Sequence, residues 1–143
     1  MIIPHSPPGL PRRLAALFYD AWLLAGILFM ATALLLPFKG GEAFRPNQWA
    51  YSLYLLGVCF LYYGWFWTHG GQTLGMRAWK IRLCNNDGGN MTWGRSALRF
   101  LASILSMGLF GLGYVWVLLD GKKRSWHDAI SHTRLEQIEY PPA

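Results

Sequence analysis

The chain has 143 residues, enough for one domain, and we predict a single membrane domain over residues 1–143. Hydrophobic residues make up 53% of the chain and charged residues 14%, whereas an ordinary soluble domain of this size carries more charge. The net charge of +6 would suit nucleic acid, but the basic residues cluster at the ends of the apolar runs, so we expect no nucleic-acid binding.

The first apolar segment follows an arm of residues 1–11, which contains four prolines and is expected to be irregular. Arg12 and Arg13 then precede a run over residues 14–36, in which Asp20 is the sole charged residue. As a helix the 23 residues of this run would extend about 34 Å, which is enough to cross a bilayer. The run therefore predicts a first transmembrane helix.

A second run, over residues 49–67, carries no charge and predicts a second transmembrane helix. Tryptophan favours the headgroup region of a bilayer, so Trp49 indicates one membrane interface and Trp65 with Trp67 indicates the other.

The stretch over residues 68–96 is polar and basic, and it predicts a small cytoplasmic β element. Residues 80–84 alternate between polar and apolar side chains, as a half-buried strand does. Residues 85–90 carry a strong turn signal, so residues 91–93 are expected to return as the second strand of a hairpin.

A third apolar run, residues 97–119, is predicted to be broken because three of its glycines lie between positions 108 and 113. Two arrangements remain open: two short helices that enter and leave on the same side, or one continuous span with a flexible middle. The hairpin is favoured because it keeps the basic residues 122–124 on the cytoplasmic side. The remaining tail, residues 120–143, would then be cytoplasmic, with a possible strand over residues 133–140.

The distribution of basic residues predicts the orientation in the membrane. Cytoplasmic segments carry an excess of lysine and arginine, so Arg12, Arg13 and the basic stretch 68–96 are expected inside. The first loop, with Lys39, Glu42 and Arg45, would lie outside.

Asp20 is the main candidate for a functional residue, because an ionisable group inside hydrocarbon is costly and is commonly functional. Arg13 lies two helical turns earlier on the same face, but at about 10 Å along the axis it is a marginal partner. Arg99, at the start of the third run, is the better candidate for an ion pair with Asp20. The pair would be either a structural staple or part of an ion-handling site. A third interpretation is that Asp20 faces water because the helix begins deeper in the membrane, and all three remain open.

Two cytoplasmic motifs accompany this intramembrane polar site. Trp126, His127 and Asp128 follow a basic stretch, where His127 would titrate near physiological pH and Asp128 would cap a helix or bind a basic loop. Gln72 and Thr73 lie in a glycine-flanked segment that is read as a tight turn, with phosphate binding as the weaker alternative.

Neither the cysteines nor the histidines show the spacing of a metal or redox site, so we expect no metal and no cofactor. Because a nucleophile in a catalytic context is also lacking, we do not expect an enzyme.

The polar residues and motifs of this chain resemble the pattern of the RDD family of small membrane proteins over about residues 9–138. The family is named for an arginine at the start of the first helix, an aspartate within that helix and a later aspartate. Arg13 and Asp20 match the first two, and Asp128 matches the third better than Asp120 does. The likeness extends to the segments 71–77, 87–89 and 128–133. The chain departs from the family pattern in two ways: His132 replaces the small residue common at that position, and the third apolar run is shorter than in some relatives.

The resemblance implies that Arg13, Asp20 and Asp128 matter, and it implies transport, since sodium/proton antiport has been proposed for some members. The sequence thus predicts an all-α protein of the bacterial inner membrane with two transmembrane helices, a third glycine-broken segment and a small cytoplasmic β element.

The leading hypothesis for function is a cation- or proton-coupled transporter or channel that works as a homo-oligomer, with Na⁺ or H⁺ at Asp20. The alternative is a non-transporting protein that binds lipids or assists another membrane complex, with its basic residues on anionic headgroups. The basic residues concerned are Lys80, Arg82 and the stretch 122–124.

Overall fold

The computed structural model describes residues 3–45 and 47–139, and it is mostly helical with one small sheet. In chain order the strands and α-helices are β1 (Ile3–His5), α1 (Leu10–Leu35), α2 (Trp49–Thr68), α3 (Leu74–Ala78), β2 (Ile81–Asn85), α4 (Trp93–Gly108), α5 (Leu112–Val115), α6 (Trp126–Ile130) and β3 (Thr133–Glu139). Two 3₁₀ turns, Leu36–Lys39 and Trp116–Leu118, extend α1 and α5.

α1 is long and apolar enough to cross a membrane, and with its 3₁₀ extension it runs over Leu10–Lys39. It begins earlier than predicted because Pro11 occupies the first turn, where the missing N–H is not needed. The prediction of an irregular arm over residues 1–11 is therefore wrong at two places: Ile3–His5 is a strand, and the helix has begun by Leu10.

α2 is the second predicted helix, and it ends one residue beyond the predicted boundary. Its many tyrosines and tryptophans lower its hydropathy, so it does not by itself reach the value expected of a membrane span. Among the described residues, one helix is therefore a candidate span, or two are if α4 and α5 together count as one broken span.

The predicted break in the third run lies between α4 and α5, whose axes differ in direction by 103°. The chain turns there through left-handed backbone at Phe110 (φ 58°) and Gly111 (φ 75°). Gly113 then packs so closely on Ser106 that a Cβ atom in its place would collide with that side chain. The segment is therefore bent. Its angle lies between the two arrangements that the sequence left open, a straight span and a full hairpin.

The sheet has the order β1-β3-β2, and both pairings are antiparallel. The predicted hairpin of residues 80–84 with residues 91–93 is wrong, because β2 pairs with the tail strand β3. Residues 91–93 do not form a strand: the Thr92 hydroxyl accepts a hydrogen bond from the Arg95 backbone N–H and so starts α4. The possible strand at residues 133–140 is confirmed as Thr133–Glu139.

The buried core lies where the sheet meets one end of the long helices. Its apolar members come from both parts: Ala16, Trp67, Ile81, Leu83, Met91, Phe100 and Leu135. Because α1, α2 and α4 all contribute to it, this junction brings together polar side chains from segments that are distant in the chain.

Candidate functional site

Asp128 is the centre of the polar site at this junction, and its side chain is fully buried. Its Oδ2 accepts a hydrogen bond from Arg13 Nη1 at 2.6 Å, and its Oδ1 accepts one from Arg99 Nη1 at 2.5 Å. The sequence prediction that Arg13 or Arg99 pairs with Asp20 is therefore wrong, because both guanidinium groups bind Asp128 instead. One carboxylate thus joins α1, α4 and α6.

The local sequence explains how α6 presents this carboxylate. Ser125 and Asp128 form a capping box, in which the Asp128 side chain accepts from the Ser125 backbone N–H at 3.1 Å. Burial would raise the pKa of Asp128, but the charges of Arg99 and Arg13 outweigh burial and hold that pKa below its usual range. Asp128 is therefore ionised at any physiological pH.

The remaining hydrogen-bond donors of Arg13 bind backbone carbonyl groups. Its Nε donates to the carbonyl of Pro8 at 3.1 Å, and its Nη2 donates to the carbonyl of Lys123 at 2.7 Å. The one side chain therefore holds the N-terminal arm and the tail against the start of α1.

Arg99 is less completely satisfied than Arg13. Its Nη1 also donates to Thr133 Oγ1 at 2.9 Å, and its guanidinium carbon lies 5.3 Å from the centre of the Trp67 ring. Its Nε is buried and has no hydrogen-bond partner among the residues described.

Asp20 is also buried, with 1% of its surface exposed, but its partners are neutral. Its Oδ1 accepts from the Tyr62 hydroxyl at 3.0 Å and from the Gly75 backbone N–H at 2.8 Å, and its Oδ2 accepts from the Thr73 hydroxyl at 2.5 Å. Within residues 3–45 and 47–139 it makes no salt bridge. Asp20 thus has three donors but no counter-charge in contact with it.

The segment between α2 and β2 is built to reach Asp20. Thr73 caps α3 by accepting from the Met76 backbone N–H while its own hydroxyl donates to Asp20. A Cβ atom at Gly75 would collide with the carbonyl of Ala16, so only glycine allows α3 to approach α1 this closely. Gln72 donates from its side chain to the carbonyl of Ile81 at 2.7 Å, which fastens the same segment to β2.

His127 is buried beside Asp128, and its Nε2 lies 2.9 Å from Ser125 Oγ. Burial, followed by the charge of Arg99, lowers the pKa of His127 to about 3. The prediction that it titrates near physiological pH is therefore wrong, and the ring is neutral there. Trp126 points elsewhere and packs against Trp116, with 6.1 Å between ring centres.

A cavity of about 100 Å³ lies beside Asp20. Its lining includes Asp20, Arg13 and Arg99 together with His127 and Trp67. The structure therefore gathers all three residues of the predicted intramembrane site, and His127 of the predicted cytoplasmic motif, around one small cavity.

The sequence analysis did not single out Tyr62, Ser125 or Thr133, although each contacts the site. The spacing Ser125-x-x-Asp128 is a capping-box signature and was available as a signal for Ser125. Tyr62 and Thr133 carried no comparable local signal, because their roles depend on which segment packs beside them.

The fold and site define a small, mostly helical membrane-type protein whose first helix carries a buried arginine and a buried aspartate. The family model described as the RDD family matches residues 7–132, and the chain belongs to the RDD family. The resemblance stated from the sequence is thereby confirmed.

One relative is the protein named "Uncharacterized protein YxaI" of Bacillus subtilis (strain 168), which is 31% identical over 94 residues. The matched region covers 65% of this chain and 59% of that relative, so the match spans about three fifths of the relative's length. No solved structure matches this chain.

Proposed function

We propose that the protein is a multi-pass protein of the bacterial inner membrane that carries H⁺ or a small monovalent cation such as Na⁺, with Asp20 as the ion site. The proposal includes no enzymatic step. It places the N-terminus, the segment between α2 and α4, and the tail in the cytoplasm.

The sheet supports this topology by a simple physical argument. β1, β2 and β3 come from the N-terminal arm, the middle segment and the tail, and hydrogen-bonded neighbours in one small sheet lie on the same side of a membrane. If α1 crosses, α2 must therefore cross back, even though its hydropathy is low. For the same reason the bent α4–α5 segment re-enters on the side from which it started.

The single observation that carries the ion site is the environment of Asp20. Its carboxyl group is buried, bonded to neutral donors and placed beside a cavity, while both nearby arginines are bound to Asp128. A buried acid without a counter-charge is a natural place for a proton or a cation to bind and leave, because either one would offset the cost of the charge.

We further propose that the working form is a homo-oligomer. α1 exposes large apolar side chains along its length, including Phe18, Trp22 and Phe29 at 68%, 70% and 74% exposure. Two or three helices bury little surface, so a pathway through the bilayer requires additional helices from further copies.

The alternative is a non-transporting protein that binds anionic lipids or assists another membrane complex. The exposed cytoplasmic residues Lys80, Lys122 and Lys123 favour it, because each basic side chain near an anionic surface contributes about 1 kcal/mol of attraction. On this alternative Asp20 serves only to hold α3 against α1.

The test is an ion-flux assay in vesicles that contain the purified protein, with a pH gradient and a panel of monovalent cations. Asp20→Asn keeps the shape of the side chain and removes its charge, and we expect it to abolish flux while assembly is retained. Asp87→Asn, in an exposed loop, is the matched control and should transport like the wild type.

Tyr62→Phe is a second test of transport against the non-transporting alternative. It removes one hydrogen-bond donor to Asp20 and keeps the Asp20 carboxyl group. The transport proposal expects altered flux with a changed pH dependence. Flux that is equal in the wild type and Asp20→Asn, or absent from the wild type under every gradient, would favour the lipid-binding or assembly role.

A further inference from the structure

A second cavity, of about 270 Å³, lies between the end of α2, the outer strand β2 and the turn that follows β2. Among the described residues it shares Trp67, and no other lining residue, with the cavity beside Asp20. Much of its wall is made of four glycines, two after α2 and two after β2: Gly70, Gly71, Gly88 and Gly89. Because glycine has no side chain, this wall leaves room for a ligand to approach the backbone closely.

Among the described residues, two arginines and no acidic residue line this cavity. Arg82 is aligned with Glu136 across the β2–β3 pair, so Arg82 and Arg134 lie on the same face of the sheet. The Arg82 side chain packs on Gly71, with its Cγ atom 3.5 Å from the position that a Cβ atom there would occupy. The Arg134 Nη1 donates to the carbonyl of Asn86 at 3.4 Å, at the turn after β2. Both arginines therefore lie along one wall of the cavity.

Two acidic residues lie close to this cavity, and each already has a basic partner. Glu136 Oε1 accepts from Arg134 Nε at 2.5 Å, and Asp87 Oδ2 accepts from Arg95 Nη2 at 3.2 Å. Arg82 is half-buried and makes no salt bridge within the part of the chain that the structure describes. Three arginines against two acids leave one positive charge, and it belongs to Arg82.

We propose that this cavity, the arginine cleft, binds a phosphate group through Arg82 and Arg134. A guanidinium group matches the geometry of phosphate oxygens and can donate to two of them at once. The volume of about 270 Å³ lies just below the ~300–1,000 Å³ of sites for drug-sized ligands, so the cleft fits a phosphate with a small substituent such as glycerol.

Two sources of phosphate could reach the arginine cleft, the headgroup of a lipid or a phosphate free in solution. α2 ends at Thr68, which lines the cleft, so the topology proposed above puts the cleft at the cytoplasmic surface of the membrane. The lipid source rests on that topology. The phosphate site itself does not require that any ion crosses the membrane, so a negative flux assay leaves it standing.

Cys84 lines the same cleft and can report whether it is occupied. In Cys59→Ala, where Cys84 is the remaining thiol, its rate of reaction with methyl methanethiosulfonate measures access to the cleft. Burial, followed by the charge of Glu136, raises the pKa of Cys84, so the reaction is run at mildly alkaline pH.

The two sources are tested separately at constant ionic strength. In detergent micelles inorganic phosphate is the probe and chloride is the reference anion. In vesicles the probe is phosphatidylglycerol mixed into phosphatidylcholine, and pure phosphatidylcholine is the reference. We expect saturable protection of Cys84 by at least one probe. Protection by inorganic phosphate alone identifies a soluble phosphate, and protection by phosphatidylglycerol alone identifies a lipid headgroup.

Arg82→Gln removes the unpaired guanidinium group. We expect it to raise the probe concentration for half-maximal protection about ten- to a hundredfold, the value of a hydrogen bond to a charged group. Lys122→Gln, at an exposed position outside the cleft, removes the same charge and is the matched control, which should behave like the parent chain.

Cys84 reactivity that neither probe changes would overturn the proposal. Equal weakening in Arg82→Gln and Lys122→Gln would overturn it as well, because it would show diffuse attraction to a basic surface. If Arg82→Gln fails to fold, protection of Cys84 in the chain that keeps both arginines decides.

Discussion

Arg13 and Asp128 are 115 positions apart in the chain, yet Arg13 Nη1 and Asp128 Oδ2 are 2.6 Å apart. Arg99 binds the other oxygen of the same carboxylate, so Asp128 joins the first helix, the bent third segment and the tail. Asp20, which also lies on the first helix, is left to neutral donors. This division of partners gives the two aspartates different surroundings: two guanidinium groups bind Asp128, whereas Asp20 contacts neutral donors.

Removal of the Asp128 charge should destabilise the protein strongly. Asp128→Asn leaves two buried guanidinium groups without a counter-charge, and loss of one partner of a buried ion pair costs about 3–5 kcal/mol. The free energy of unfolding in mild detergent measures the effect. Asp87→Asn, which breaks an exposed ion pair with Arg95, is the control and should change stability little; equal losses in the two variants would contradict the role given to Asp128.

A methyl group at Gly75 should separate α3 from α1. In Gly75→Ala the new Cβ meets the carbonyl of Ala16 and the carboxyl group of Asp20, and such overpacking costs about 1–3 kcal/mol. The measurement is thermal unfolding together with hydrogen exchange of the α3 backbone. Gly94→Ala, in a helix with open space around it, should leave stability unchanged or raise it slightly.

Acid should destabilise the protein through His127. Its pKa is about 3 in the folded chain and near 6.5 when exposed, so the folded state favours the neutral ring. The resulting stability is fully present above about pH 6.5 and is lost as the pH falls towards 3, by at most about 1.4 kcal/mol per pH unit. Unfolding free energies between pH 7 and 5 avoid the titration of Asp128, which occurs at lower pH.

His127→Gln should reduce this loss of stability on acidification, because glutamine has no proton to take up in that range. His69→Gln, at an exposed position, should retain the wild-type dependence. A pH profile that is the same in His127→Gln and the wild type would show that His127 is not buried as a neutral ring.

The topology predicts which side chains reagents reach from each side of the membrane. In a chain whose native cysteines are replaced (Cys59→Ala and Cys84→Ser), Lys122→Cys should react with impermeant thiol reagents only from the cytoplasm. Glu42→Cys, in the loop between α1 and α2, should react only from outside. If the cysteines introduced at positions 122 and 42 react from the same side, α1 does not cross the membrane.

Local patterns were sufficient for much of this fold. The first two helices begin and end close to their predicted positions, because long uncharged apolar runs favour helix whatever surrounds them. The break in the third run was predicted from its glycines, whose weak helix propensity acts within a few residues. The resemblance to the RDD family also identified Arg13, Asp20 and Asp128 as residues to examine.

The sequence did not reveal which strands pair or which charged groups lie beside one another. β2 was expected to pair with the residues just after it, but its partner is β3, about fifty positions later, because Thr92 starts a helix where the return strand was predicted. The titration of His127 was also misjudged, since a pKa depends on burial and on the charges of Arg99 and Asp128, which arrive from other segments.

The sequence by itself determined that the chain is a membrane protein with a charged residue where apolar ones are expected, because hydropathy and helix propensity are properties of neighbouring residues. The tertiary structure alone decided that Arg13 and Arg99 bind Asp128 and that Asp20 is left with Tyr62 and the α3 segment. Electrostatic attraction is available to any of these pairs, and only the packing of the sheet against the helix ends selects which charged groups come within hydrogen-bonding distance.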